Sequence, residues 1–131
     1  MKRKDHTSGT YTMVHCPGHP GANRNGFVHK HRLVAEKALG RFLPPGVEVH
    51  HVDERGNNNA NSNLVICQDS EYHKLLHTRM RALAICGNPN WRKCRYCEKY
   101  DDPANLLNYA KNYYNHRSCI KAYRLTHRRV P

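Results

Sequence analysis

The chain has 131 residues, 38% of them hydrophobic, and its 22 Lys and Arg against 10 Asp and Glu give a formal net charge of +12. That length fits one domain, or a small domain with an appendix, and a mean hydropathy of −0.90 leaves a thin apolar core that asks for a metal or disulfide staple. The charge points to polyanionic partners, nucleic acid first, and no apolar run approaches the roughly 20 residues of a membrane span.

No signal-peptide pattern follows Met1-Lys2-Arg3-Lys4, so the expected location is cytoplasmic. Thiols stay reduced there, and paired cysteines more often hold metal than form disulfides. Residues 1 to about 10 read as a loose basic arm able to lie along phosphates. Gly9 to Cys16 suits a strand through Tyr11, Met13 and Val14, and Pro17-Gly18-His19-Pro20-Gly21 breaks it. Gly26-Phe27-Val28 is a second short strand. From Arg32 to Leu43 the spacing turns helical, with Leu33, Val34, Ala38 and Leu39 on one face and an Arg32–Glu36 pair on the exposed side. Gly40 ends this helix and Pro44-Pro45-Gly46 forbids its continuation.

Val47 to Val52 is a brief β-branched strand running into His50 and His51, followed by an asparagine-rich loop over 53–62. Leu64 to Cys67 is the returning strand, with Cys67 on its buried face. Ser70 is the expected N-cap of a helix reaching about Ala84, with Glu71 in its first turn and Tyr72, Leu75, Leu76, Met80 and Leu83 as its apolar side. Gly87-Asn88-Pro89-Asn90 marks a boundary. Beyond it the composition shifts to cysteine, tyrosine and arginine, with one helix near Ser118 to His127.

His73 and His77 stand four apart on that predicted helix and leave it from one face, a spacing that suits a metal ion or a phosphate. Taken alone, the pair reads equally as a solvated helix edge. His50 and His51 are neighbours in a strand, where side chains alternate, so both serve one site only at a strand end or distortion. Four histidines bracketing one loop favour a site over a decorated surface.

The order His51, Asn63, His73 resembles the HNH endonuclease family, whose site is the ββα-metal fold. The match is to its phage and homing-type branch: His50-His51, Asp53, Asn58-Asn59 and Asn63-Leu64 are followed by Glu71-Tyr72-His73-Lys74-Leu75-Leu76-His77. Upstream, His19-Pro20, Gly26, His31-Arg32-Leu33-Val34-Ala35-Glu36 and Leu39-Gly40-Arg41 resemble the segment that precedes the motif. The resemblance implies that His51 is the general base, a task suited to an imidazole, which exchanges protons near neutral pH. It implies that His50 and His73 are metal ligands, that Asn63 holds the loop aiming His51, and that His77 is a further ligand or a phosphate contact. Products would carry a 5′-phosphate and a 3′-hydroxyl. Many relatives have Asp where His50 stands, and an all-imidazole shell is softer than Mg²⁺ prefers, so the expected ion is Mg²⁺ or Mn²⁺ with Ni²⁺, Co²⁺ and Zn²⁺ as candidates. Gly56 also falls later than in the usual Asp-Gly-Asn, which reads as a local change of turn.

Cys94-Arg95-Tyr96-Cys97 and His116-Arg117-Ser118-Cys119 are two hooks of the spacing that closes a structural Zn²⁺ site, with Cys86 an alternative to His116. The tail is rich in Lys and Arg among tyrosines, which fits phosphate tracking. Tyr109 and Tyr123 are expected in its small core. Lys74, Arg79, Arg95, Arg117 and Arg124 are the expected nucleic-acid contacts.

The expected class is α+β: an HNH core over residues 1–86 (motif about 47–80) with a short N-terminal strand and helix segment, then a zinc-ribbon-like basic module over 87–131. The expected function is metal-dependent hydrolysis of phosphodiesters in double-stranded DNA by a monomer that nicks one strand. The competing reading is a zinc-containing nucleic-acid-binding protein without catalytic activity.

Overall fold

In the computed structural model, which describes the backbone of residues 5–8 and all of residues 10–128, the first elements are three antiparallel strands. They are β1 Asp5–Ser8, β2 Tyr11–His15 and β3 Phe27–His29, in that order in one sheet. The arm expected over 1–10 therefore gives way to strand pairing at Asp5–Ser8, while residues 1–4 and 9 lie outside the described residues. Val14 and Val28 are buried as cross-strand partners on one face of this sheet, and Met13 is buried on the other.

Helix α1, Lys30–Leu39, follows β3 without a loop and so starts two residues before the Arg32 expected from spacing. Gly40 stops it in the left-handed region at φ +72°, donating its N–H to Glu36 O at 2.9 Å. The helix turns a different face inward from the one predicted. Ala35 and Glu36 are buried, whereas Ala38 and Leu39 are exposed. The cause is polar. Glu36 Oε1 accepts from Leu43 N at 2.9 Å and pairs with Arg32 Nε at 3.3 Å, and Oε2 meets His19 Nε2 at 2.5 Å. The Arg32 guanidinium then donates to Leu43 O at 3.0 Å and Val47 O at 3.4 Å. The pair expected on the surface is instead a bolt beneath the loop into the next strand, and a charge buried this way is tolerated only because every oxygen has a partner. Around it Ala35, Leu43 and Val49, with Val47 and Leu64, make the small apolar core.

Strands β4 Glu48–His51 and β5 Leu64–Cys67 pair antiparallel, Glu48 opposite Cys67 and His51 opposite Leu64. Cys67 is fully buried, as its strand position suggested. Helix α2 spans Ser70–Cys86, two residues past Ala84. Its cap is Asp69 rather than Ser70: Asp69 Oδ1 accepts from Tyr72 N at 2.8 Å, because the capping side chain must stand just outside the first helical residue. The apolar stripe predicted for α2 is not a core face, since Leu75 is exposed, Leu83 is 54% exposed, and Ala82 is its one buried residue.

The chain forms two compact units, Met1–Lys74 and Leu75–Pro131, with the division inside α2. Beyond that helix the second unit holds two hairpins and a helix. These are β6 Arg92–Lys93 with β7 Tyr100–Asp101, β8 Leu107–Ala110 with β9 Tyr113–Asn115, and α3 Arg117–Thr126. Cys94, Leu106, Asn115 and Ile120 are its buried residues outside α2. Tyr109 and Tyr123, expected in this core, are 64% and 44% exposed. α3 turns Ile120 inward, while Tyr123 stacks on His127 with ring centroids 4.0 Å apart and lies 4.9 Å from the Tyr96 ring. No helix among the described residues is long and apolar enough to cross a membrane.

Candidate functional site

Alternation along β4 places Glu48 and His50 on one face and Val49 and His51 on the other. His50, 1% exposed, packs its ring against His73 on α2, centroids 5.1 Å apart at 75°. His73 Nδ1 lies 2.6 Å from Glu48 Oε2. As donor to this carboxylate, Nδ1 carries the proton, which makes Nε2 the nitrogen that could hold a metal. Histidine spacing alone does not single out Glu48; its signal is its place two residues before His50, which puts it on the same face. His77 follows His73 by one turn of the same helix.

His51, 6% exposed, ends β4 where the loop begins. Its Nε2 is 3.0 Å from Asn59 Oδ1. The loop is held by its own amides. Asn63 accepts from Asp53 N through Oδ1 at 3.0 Å and donates through Nδ2 to Asp53 Oδ1 and Asn58 O, each at 2.8 Å. Asn58 Nδ2 donates to Asp53 Oδ2 at 2.7 Å. The Asn58 bond, the Arg55 backbone N–H and Asn63 together pull the Asp53 carboxyl down to about 2. Val52 N donates to Asn63 O at 2.9 Å, which ties the residue after His51 to the start of β5. The asparagines thus hold the loop by a side-chain network where hydrophobic packing is scarce. Asn63 sets the loop, and the amide that touches His51 is Asn59.

Gly56 has no room for a side chain. A Cβ built there would lie 2.8 Å from two carbons of the Tyr11 ring, so that ring rests directly on the glycine backbone.

The imidazoles of His50 and His73 suit an ion that accepts nitrogen at about 2.0–2.1 Å and keeps further positions open. The residues fit a borderline transition ion better than one that demands oxygen.

In the second unit, ligand atoms of Cys94, Cys97, His116 and Cys119 lie within 4.8 Å of one another. Cys97 Sγ and Cys119 Sγ stand 3.4 and 3.8 Å from His116 Nδ1. Asp101 Oδ2 lies 3.1 Å from His116 Nε2, fixing Nδ1 as the nitrogen that faces the thiols. Burial would raise the Cys94 thiol, yet backbone N–H groups of Cys97, His116 and Tyr96 pull it down to about 6. Cys86 is not in the cluster; its Sγ meets Ala82 O at 3.0 Å. One hook lies after β6 and the other at the start of α3, with His116 at its N-cap and Cys119 in its first turn.

Of the expected nucleic-acid contacts, Lys74 and Arg79 lie on α2 and Arg117 and Arg124 on α3. Arg95 holds its guanidinium over the Tyr113 ring, 4.7 Å from the centroid. Arg117, Lys121 and Arg124 line one cavity of about 390 Å³.

Residues 28–74 match the family model described as HNH endonuclease. The match covers β3, α1, β4, the asparagine loop, β5 and the first turn of α2, and stops short of His77 and the cysteine module. Comparison with curated proteins and with solved structures gives no match.

Proposed function

We propose, from the match of residues 28–74 to the HNH endonuclease family model, that the chain hydrolyses phosphodiesters of double-stranded DNA and nicks one strand at a time. One observation carries the reading: the buried His51 ring, held by Asn59, is adjacent in sequence to His50, whose ring packs on His73. In this reading His51 takes the proton from the attacking water. With Nε2 donating to Asn59 Oδ1, Nδ1 is the nitrogen that receives it. His50 and His73 hold the divalent ion, His77 is a further ligand or a phosphate contact, and Glu48 orients His73. A bound ion supplies charge stabilisation for the pentacoordinate phosphate and the departing 3′ oxygen. The nitrogen donor set favours Mn²⁺, Co²⁺, Ni²⁺ or Zn²⁺ over Mg²⁺. A second, closed site on Cys94, Cys97, His116 and Cys119 holds a structural Zn²⁺. Lys74, Arg79, Arg95, Arg117 and Arg124 contact DNA phosphates in a chain of net charge +12.

Supercoiled plasmid tests the proposal. With Mn²⁺ the protein should convert it to open circles before any linear product forms, and a chelator of the exchangeable ion should stop the conversion. Tight binding with no relaxation across several divalent ions would instead make the chain a nucleic-acid binder.

Glu48 gives a graded check. Changing Glu48→Gln removes the carboxylate that fixes His73 and should raise the Mn²⁺ concentration for half-maximal nicking by about 10–100-fold. Saturating Mn²⁺ should restore most of the rate. An unchanged Mn²⁺ requirement would remove Glu48 from the metal site.

A further inference from the structure

Beside His51 stands a wall of rings that the hydrolytic reading leaves unused. Tyr11, His29 and His31 come from β2, β3 and the first turn of α1. His31 meets His51 edge-on, centroids 4.9 Å apart and planes at 79°. It also stacks on His29 at 5.0 Å and 20°. Tyr11 touches all three, with centroids 5.6 Å from His29, 5.6 Å from His31 and 5.9 Å from His51. The same Tyr11 ring rests on Gly56, in the loop whose Asn59 bonds His51. One aromatic side chain therefore braces both the wall and the loop.

His31 is held there for its shape. Its Nδ1 is buried with no hydrogen-bond partner among the described residues. An imidazole nitrogen left unpaired costs stability, and a ring kept under that cost is kept for what it packs against. Burial, first, and then His29, His51 and Arg32 hold its imidazole at about 4, so the ring is neutral and sets no like charge beside the base.

We propose that His31, backed by Tyr11, is a positioning residue for His51, fixing the ring at the angle from which its free nitrogen meets the attacking water. The inference rests on the reading of His51 as general base. Orientation of this kind acts on the rate of the chemical step and not on substrate affinity.

The test uses the full-length, metal-loaded protein. His31→Ala should lower kcat for plasmid nicking about 10–100-fold with KM held within about twofold. His31→Phe, which restores a ring of similar size, should recover to within about fivefold of the parent. Nitrogen-detected NMR of the His51 imidazole gives a second readout that needs no cleavage. The parent should show one tautomer with Nε2 protonated, and His31→Ala a mixture. Tyr11→Ala should act in the same direction from the other side of the wall, which keeps the test alive if one variant folds poorly. Unchanged kcat with a single tautomer in the alanine variants would overturn the proposal. So would a raised KM with kcat kept, which would make His31 a DNA contact, or a phenylalanine variant as impaired as the alanine one, which would mean the nitrogen is needed. A parent protein that never cuts plasmid but shows the tautomer change would sink the hydrolytic reading and leave the positioning intact.

Discussion

Replacing His51 by alanine should lower the nicking rate by about 10²–10⁴-fold, the range over which a positioned general base accelerates proton transfer, while DNA binding persists. The ring is buried, fixed by Asn59 and walled by His31, so its removal deletes one function without unpinning the loop, whose bonds run through Asp53, Asn58 and Asn63. The useful comparison is with Glu48→Gln. A ligand-orienting defect is repaired by mass action when Mn²⁺ is raised, because the ion's binding energy offsets the lost orientation. A missing base is not. Titrating Mn²⁺ against rate for both variants therefore separates the two roles on a single plot. Restoration of the His51→Ala variant by high Mn²⁺ would move His51 from base to ligand and overturn the division of labour between the two faces of β4.

The histidines, Asn63 and the cysteine hooks are legible because residue type and spacing nearly determine their chemistry: a helical i, i+4 pair shares a face, and CxxC makes a knuckle. Their supports are less legible because each depends on tertiary geometry. Glu48 and Asp101 are ordinary acids until the fold brings them against His73 and His116. Glu36 reads as a surface residue by helical spacing, yet Leu43 N, Arg32 and His19 converge on it and turn the helix. Tyr11 and His31 are separated from His51 by a strand and a helix, and no spacing rule connects them. In a chain with so little apolar content, hydrophobic periodicity misleads for α1, where the Glu36 network decides the inward face, and for α2, and residue type misleads for Tyr109 and Tyr123.

The same scarcity should make the second unit dependent on the proposed zinc. Outside α2, its buried side chains are Cys94, Leu106, Asn115 and Ile120, and one of those is itself a thiol of the cluster. A structural Zn²⁺ contributes about 10–16 kcal/mol in small zinc modules, as much as the whole stability of an ordinary domain. Stripping zinc from the full chain with a strong chelator should therefore abolish amide protection through β6 to α3, Arg92–Thr126, and Cys97→Ser should do the same without chelator. Strands β4 and β5 serve as the internal reference, because their pairing and the Glu36 bolt involve no cysteine of the cluster. Their exchange should change far less. Elemental analysis should find one zinc that survives dialysis in the parent and none in the variant. Full protection of Arg92–Thr126 after complete zinc removal would show that the two hairpins and α3 hold together by packing alone, and the four ligands would then need another explanation.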